Sequence, residues 1–323
     1  MSMVSKRSDR EKRFEGTVVY GYQSRARAWE LLINHLLARR LFRSVERMAR
    51  VTAEEGGIVH YCSPTVEPLY RGPRAVVSIY DDPSIELDSD LYSHSSYYRR
   101  GVRHLLRDYS RHTPAIVLSE HVKQALVEWG YGQQIWVVPP AVDPVFRPLQ
   151  GREALRMRHA LPKDKRLVLS VSNYSRRKNL RVIPEVMRAL GGTYALVRVG
   201  GPLEGAISFS HISDETLNEI YNACDVLLFP SHEEGFGLPV LEAFAAGLPV
   251  VASGIPPITE SSGGAALLVD PSDPAAIANG VREAVSNVDQ LRYRGLQRAT
   301  EYSLSKLSSR MDTVYQKLQR CGN

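Results

Sequence analysis

Cysteine is scarce in this chain of 323 residues: Cys62, Cys224 and Cys321 are the whole supply. Three widely spaced thiols argue against a disulfide framework or a zinc site and point to a reducing, cytoplasmic compartment. Long apolar runs are also missing, and none approaches the roughly 20 residues that span a bilayer. Met1 to Arg13 is polar and charged, without the apolar stretch of a secretory signal, and reads as a frayed tail. His60, His94, His104, His112 and His121 lack metal-ligand spacing, so structural or surface roles are expected. There is no short repeat, no low-complexity tract and no nucleic-acid motif or aromatic stacking pattern. A nucleic-acid partner is therefore not expected.

What is present suits a globular enzyme. The 43% hydrophobic and 24% charged composition is that of a soluble protein with room for two α/β domains. The net charge of +6 favours anionic partners without choosing among them.

The first half alternates short β-rich runs with helical stretches. Strands are expected at Gly16–Gly21, Ala75–Tyr80, Ala115–Ser119 and Ile135–Val138, and a helix from Ala28 to Met48. Pro139, Pro140, Pro144 and Pro148 then interrupt regular structure, which puts a linker at about residues 140–164. The second half alternates more clearly. Strands at Arg166–Val171, Tyr194–Val199, Val226–Phe229, Pro249–Ala252 and Ala266–Val269 are separated by helices at Leu180–Leu190, Ser213–Ala223, Pro239–Ala246 and Pro274–Val285. Ser213 reads as an N-cap and Gly247 as a C-cap. This alternation predicts parallel sheets covered on both faces.

Chemistry concentrates between Pro230 and Val251. A buried strand runs into a loop with Gly235 and Gly237, and the loop opens a helix. Free backbone N–H groups and the positive end of a helix dipole then point at one place, a recipe for binding an anion. Glu234 starts the loop and Glu242 lies about one turn into the helix. An isolated pair of this kind is ordinarily a helix start with acids that complement the dipole; the flanking sequence makes the difference.

Glu234-Gly-Phe-Gly-Leu-Pro-Val-Leu-Glu242 resembles the E-x7-E signature of the family-4 retaining glycosyltransferases of GT-B fold. Tyr221-Asn-Ala-Cys-Asp-Val-Leu-Leu-Phe-Pro-Ser before it, Gly254 to Glu260 and Gly264-Ala-Ala-Leu-Leu-Val-Asp-Pro after it, and Val171-Ser-Asn-Tyr-Ser-Arg-Arg-Lys-Asn-Leu180 extend the likeness over about residues 115–285. The resemblance implies an α/β GT-B fold of two Rossmann-like domains whose parallel sheets face a cleft. Residues 1–145 would form the acceptor side, 146–302 the nucleotide-sugar side, and the helix in 303–323 would pack back on the first domain.

The same resemblance implies roles. Arg177 and Lys178 would neutralise the donor diphosphate, Glu234 would contact the transferred sugar, and Glu242 would accept hydrogen bonds from the ribose. The backbone of Gly235, Phe236, Gly237 and Leu238 would lie along the phosphates and sugar, with Asn173 and Gly200 beside them. Two cations and a helix N-terminus can stabilise the leaving diphosphate without a metal, so no metal or other cofactor is expected.

The chain also departs from the family. Ser172-Asn173 stands where a Gly-Arg pair is usual, and Arg176 is the candidate substitute. Tyr80-Asp81-Asp82 replaces a His-Asp pair, leaving Asp81 to orient the sugar or acceptor. Only Gly21 stands near the first glycine loop.

The expected function is a retaining transfer from a UDP- or GDP-sugar to a hydroxyl acceptor, lipid-linked or saccharide. The alternative is a non-catalytic sugar-nucleotide-binding subunit of the same fold. Asp88-Ser-Asp90 matches a metal–diphosphate pattern but reads as a surface loop. The basic stretches Arg25–Arg50 and Arg99–Arg111 suit either an anionic membrane surface or the solvated faces of ordinary helices.

Overall fold

The structure, a computed structural model, describes residues 57–62, 71–83 and 96–321. The expected strand at Gly16–Gly21, the helix from Ala28 to Met48, the basic stretch Arg25–Arg50, the Asp88-Ser-Asp90 tripeptide and His94 lie outside the described residues.

The first sheet is built from β1 (Val59–Tyr61), β2 (Ala75–Ile79), β3 (Ala115–Val117) and β4 (Ile135–Val137), all parallel and in that order. All five residues of β2 are buried, as a strand covered on both faces requires. Helix α1 (Ser96–His112) precedes β3 and α2 (Glu120–Glu128) follows it. Ser119 ends the β3 segment as the N-cap of α2 and accepts from the Val122 amide at 3.2 Å.

The second sheet holds β5 (Arg166–Ser172), β6 (Tyr194–Gly200), β7 (Ala206–Phe209), β8 (Val226–Phe229), β9 (Val250–Ser253) and β10 (Leu267–Val269) in the order β10-β9-β8-β5-β6-β7, again parallel. The helices after β5 are α4 (Ile183–Leu190), α5 (Asp214–Ala223), α6 (Leu238–Ala246), α7 (Pro256–Ser262), α8 (Pro274–Ser286) and α9 (Val288–Ala299). Two apolar clusters cover the faces of this sheet. One includes Leu169, Leu227, Val240 and Phe244; the other includes Val168, Leu228, Ile183 and Val281. Each such side chain contributes about 1.5–3 kcal/mol on burial.

Helix α3 (Arg152–Arg158) stands inside the stretch expected to be linker. No proline stands between Pro148 and Pro162, and Asp225 explains why a helix forms there. Its carboxylate, 3% exposed, pairs with Arg156 at 2.7 Å and Arg152 at 2.8 Å, and the Leu167 amide donates to it at 2.6 Å. This is a long-range contact with no local periodicity to announce it. The expected helix at 180–190 begins as a 3-10 turn at Leu180–Val182, because Pro184 lacks the N–H that would close an α turn.

The last helix, α10 (Leu304–Cys321), returns to the first sheet. Val314 and Leu318 share a buried cluster with Val76, Ile116 and Val138. The Tyr315 hydroxyl and Ser78 Oγ each lie 2.8 Å from a ring nitrogen of His60, whose burial pushes its pKa down to about 4.

Candidate active site

The order of the second sheet reverses between β5 and β8. These two strands pair only at Val168–Val226 and Leu169–Leu227, whereas β5 stays paired with β6 as far as Ser172–Gly200. β5 and β8 therefore part toward their carboxyl ends and leave a crevice, the usual ligand position in such sheets.

Two loops line that crevice. After β5, Arg176–Lys178 makes a single 3-10 turn that ends at Asn179 in the left-handed region, φ 51°. After β8, residues 230–237 lead to α6. The His232 amide donates to the Arg177 carbonyl at 2.7 Å and joins the loops. Between them lies a charge cluster. Lys178 Nζ is 2.5 Å from Glu234 Oε1, and Arg177 Nη1 is 3.3 Å from Glu234 Oε2. Arg177 Nη2 is 4.0 Å from Asp81 Oδ2, so the cluster reaches the first domain.

Burial sets the electrostatics. Glu234 is only 6% exposed. Burial lowers the Lys178 pKa, and Glu234 beside it opposes that shift. Burial raises the Asp81 pKa, against the pull of Arg177 and of the Gly235 backbone, which hydrogen-bonds its carboxylate. The Lys178 ammonium also lies 5.4 Å from the Phe229 ring centre.

Gly235 sits where the two domains touch. A Cβ at this residue would fall 2.2 Å from the Tyr80 carbonyl oxygen and 2.4 Å from Asp81 Oδ1. Its own carbonyl accepts from Ser119 Oγ at 3.0 Å. A second bridge lies nearby, where the Glu260 carboxylate of α7 accepts from the Glu120 amide at 2.9 Å and the His121 amide at 3.4 Å.

The remaining predicted residues separate. Phe236 is core, 3% exposed and edge-on to Tyr302 at 5.6 Å. Gly237, at φ 90°, is the N-cap of α6 without a side-chain cap, and Leu238 is 40% exposed. Glu242 lies apart from the charge cluster. Its Oε2 accepts from the Tyr221 hydroxyl at 2.8 Å, and burial raises its pKa against that hydrogen bond. Asn173 is exposed at the end of β5, and Gly200 ends β6.

Sequence reasoning passed over Ser119, Glu260, Tyr221 and Arg198. Tyr221 stood in a quoted segment without a role. Arg198 carried a signal of its own, a charge inside the apolar run Ala195-Leu-Val-Arg-Val199. Ser119 and Glu260 act across the domains, which no local pattern reports.

Among the described residues there is no group of three or more His, Cys, Asp or Glu that could hold a metal ion, and no helix is long and apolar enough to cross a membrane.

Residues 151–300 match the model of the family described as glycosyl transferases group 1. The O-antigen chain mannosyltransferase B of Escherichia coli is 35% identical over 123 residues, covering 36% of this chain and 32% of that protein. The D-inositol 3-phosphate glycosyltransferase of Corynebacterium urealyticum is 30% identical over 239 residues, covering 63% and 56%. The chain thus spans between a third and just over half the length of these curated relatives. Among solved structures, sucrose-phosphate synthase from Thermosynechococcus elongatus superposes with a TM-score of 0.71 at 20% identity, over 92% of this chain and 80% of that one. Anabaena HepE in complex with UDP and glucose gives 0.65 at 16% identity, over 75% and 71%. These likenesses, with the two parallel sheets, identify the fold as GT-B.

Proposed function

We propose that this chain, whose residues 151–300 belong to the glycosyl transferases group 1 family, transfers a sugar from a nucleoside diphosphate sugar to a hydroxyl acceptor. One observation carries the reading. Arg177, Lys178 and the uncapped start of α6 meet at the crevice between β5 and β8. Cations and helix N–H groups there suit a leaving diphosphate, whose charge grows as the glycosidic bond breaks. They supply that stabilisation without a metal. HepE, of the same fold, is known in complexes with UDP and UDP-glucose, which favours a nucleotide-sugar donor.

The likeness to family 4 supports retention of configuration, and the geometry speaks against a double displacement through Glu234. Each Glu234 oxygen faces a cation, so this carboxylate is occupied in holding Arg177 and Lys178 rather than free as a nucleophile. The acceptor hydroxyl then attacks from the face the phosphate leaves. Its proton passes to the departing phosphate oxygen, which becomes the more basic as the bond breaks. Asp81, across the cleft and joined to Arg177, orients the sugar or acceptor. Glu242 receives the ribose hydroxyls on the oxygen that Tyr221 leaves open.

A panel of UDP-, GDP- and ADP-sugars tests the reading. The protein is expected to release nucleoside diphosphate slowly from one of them without acceptor, and without loss of rate in EDTA. Binding without any release would favour the non-catalytic subunit instead.

We infer a cytoplasmic location at an anionic membrane face. Arg103, His104, Arg107 and Arg111 of α1 are exposed. Arg107 and Arg111, with Trp129, line a cavity of about 510 Å³ beside the segments that lead into β3 and β4. Arginines beside a half-buried tryptophan suit a headgroup region. Cosedimentation with vesicles rich in phosphatidylglycerol is expected at low salt and is expected to fade as salt rises. No binding at low salt would remove this part of the reading.

A further inference from the structure

Arg198 is fully buried at 0% exposure, the largest side chain so enclosed among the described residues. It stands on β6, beside the strand end that leads to Arg177 and Lys178. Its contacts are unusual for a buried cation. Nη1 donates to the Ser170 carbonyl at 3.1 Å and to the Val199 carbonyl. Nη2 donates to the Ser172 carbonyl at 2.6 Å and lies 3.2 Å from Ser172 Oγ. Nε is buried with no hydrogen-bond partner. No carboxylate pairs with Arg198 among the described residues, whereas buried Arg156 has Asp225.

An unpaired buried charge is costly, and burial pulls the Arg198 pKa down without bringing an arginine near neutrality. Three local features fit this side chain. Gly200 lies directly above it, at φ 126°, where a Cβ would stand 2.0 Å from the Ser172 carbonyl oxygen and 3.0 Å from Arg198 Nη2. Ser172 turns its carbonyl inward to the guanidinium. Because the peptide is planar and trans, the Asn173 N–H on the same unit points away from Arg198.

We propose that Arg198 is a positioning residue for the donor diphosphate. It fixes the Ser172–Asn173 peptide and places under the crevice a positive charge whose counter-charge is the bound diphosphate. This rests on the donor-site reading above and adds to it a cation one strand away from Arg177 and Lys178, on the strand next to the one that carries Ser172-Asn173. The arrangement makes Arg198 an electrostatic support, separated from the ligand by the backbone of Ser172 and Gly200.

The test compares the full-length wild type with Arg198→Met and Arg198→Lys. Calorimetry measures affinity for UDP, GDP and ADP and for the matching nucleosides; urea denaturation measures stability. Methionine replaces a buried charge by an apolar chain of similar length, so stability is expected to stay at or above wild type. Affinity for the preferred nucleoside diphosphate is expected to fall by about tenfold or more, with nucleoside affinity unchanged and lysine intermediate. Unchanged diphosphate affinity in Arg198→Met would overturn the proposal. So would a parallel fall in stability and in affinity for nucleoside and diphosphate alike, which is the mark of a structural prop. A wild type that binds none of the three diphosphates would overturn the donor-site reading itself, and this proposal with it.

Discussion

At Glu242, burial and hydrogen bonding act in opposite directions on one carboxylate. Burial raises its pKa and the Tyr221 hydroxyl lowers it. If the ionised form is what accepts ribose hydroxyls, donor affinity falls as pH drops, and the fall starts above the ordinary glutamate value of about 4.3. Tyr221→Phe removes the lowering contribution. The acid limb of donor affinity is then expected to move to higher pH, with affinity at pH 8 little changed; a pH series of binding isotherms checks both points. Glu242→Ala is expected to weaken donor binding by about ten- to hundredfold at neutral pH, the worth of a hydrogen bond to a charged group. Glu234 belongs to a different environment, held by Lys178 and Arg177. The signature that joins these two glutamates in sequence thus spans two electrostatic environments.

Elements differ in how plainly the sequence announces them. Val226–Phe229 was legible because a strand buried on both faces reads as an unbroken apolar run, and Tyr194–Val199 because its β-branched and apolar residues outweigh the one charge, Arg198. Ser213 was legible as a cap because its hydroxyl binds only three residues on, to Thr216 N. Helix α3 was not, since its place depends on Asp225, 69 residues from Arg156. The short β7 was missed because its residues are only partly buried and lack a clear period. The donor loop was read from its glycines and glutamates, but Ser119, which donates to the Gly235 carbonyl from the other domain, left no local trace. The weight on α3 can be measured. Asp225→Ala leaves Arg156, 8% exposed, without its carboxylate. It is expected to cost about 3–5 kcal/mol in urea unfolding.

At the scale of the molecule, the domains meet at close contacts among the described residues. Gly235 leaves no room for a methyl group against Tyr80 and Asp81. Gly235→Ala is expected to leave each domain folded and to push the two apart. Turnover should then fall by about a hundredfold, the usual cost of misplacing reacting groups by an ångström. Steady-state kinetics beside small-angle scattering would check this, with wild-type dimensions and full activity as the contrary result. α10 keeps the domains on one chain path by returning from α9 to the first sheet. The two domains are therefore joined by α10 as well as bridged at Gly235 and Glu260.

One of those bridges offers a local reporter of how the domains are held. The first amides of α2 have their carboxylate cap on α7, in the other domain. If the domains separate, that cap departs and the Glu120 and His121 amides lose their acceptor. Their exchange with deuterium is therefore expected to slow when a bound donor holds the two domains together, with an unchanged rate at these two residues as the contrary result.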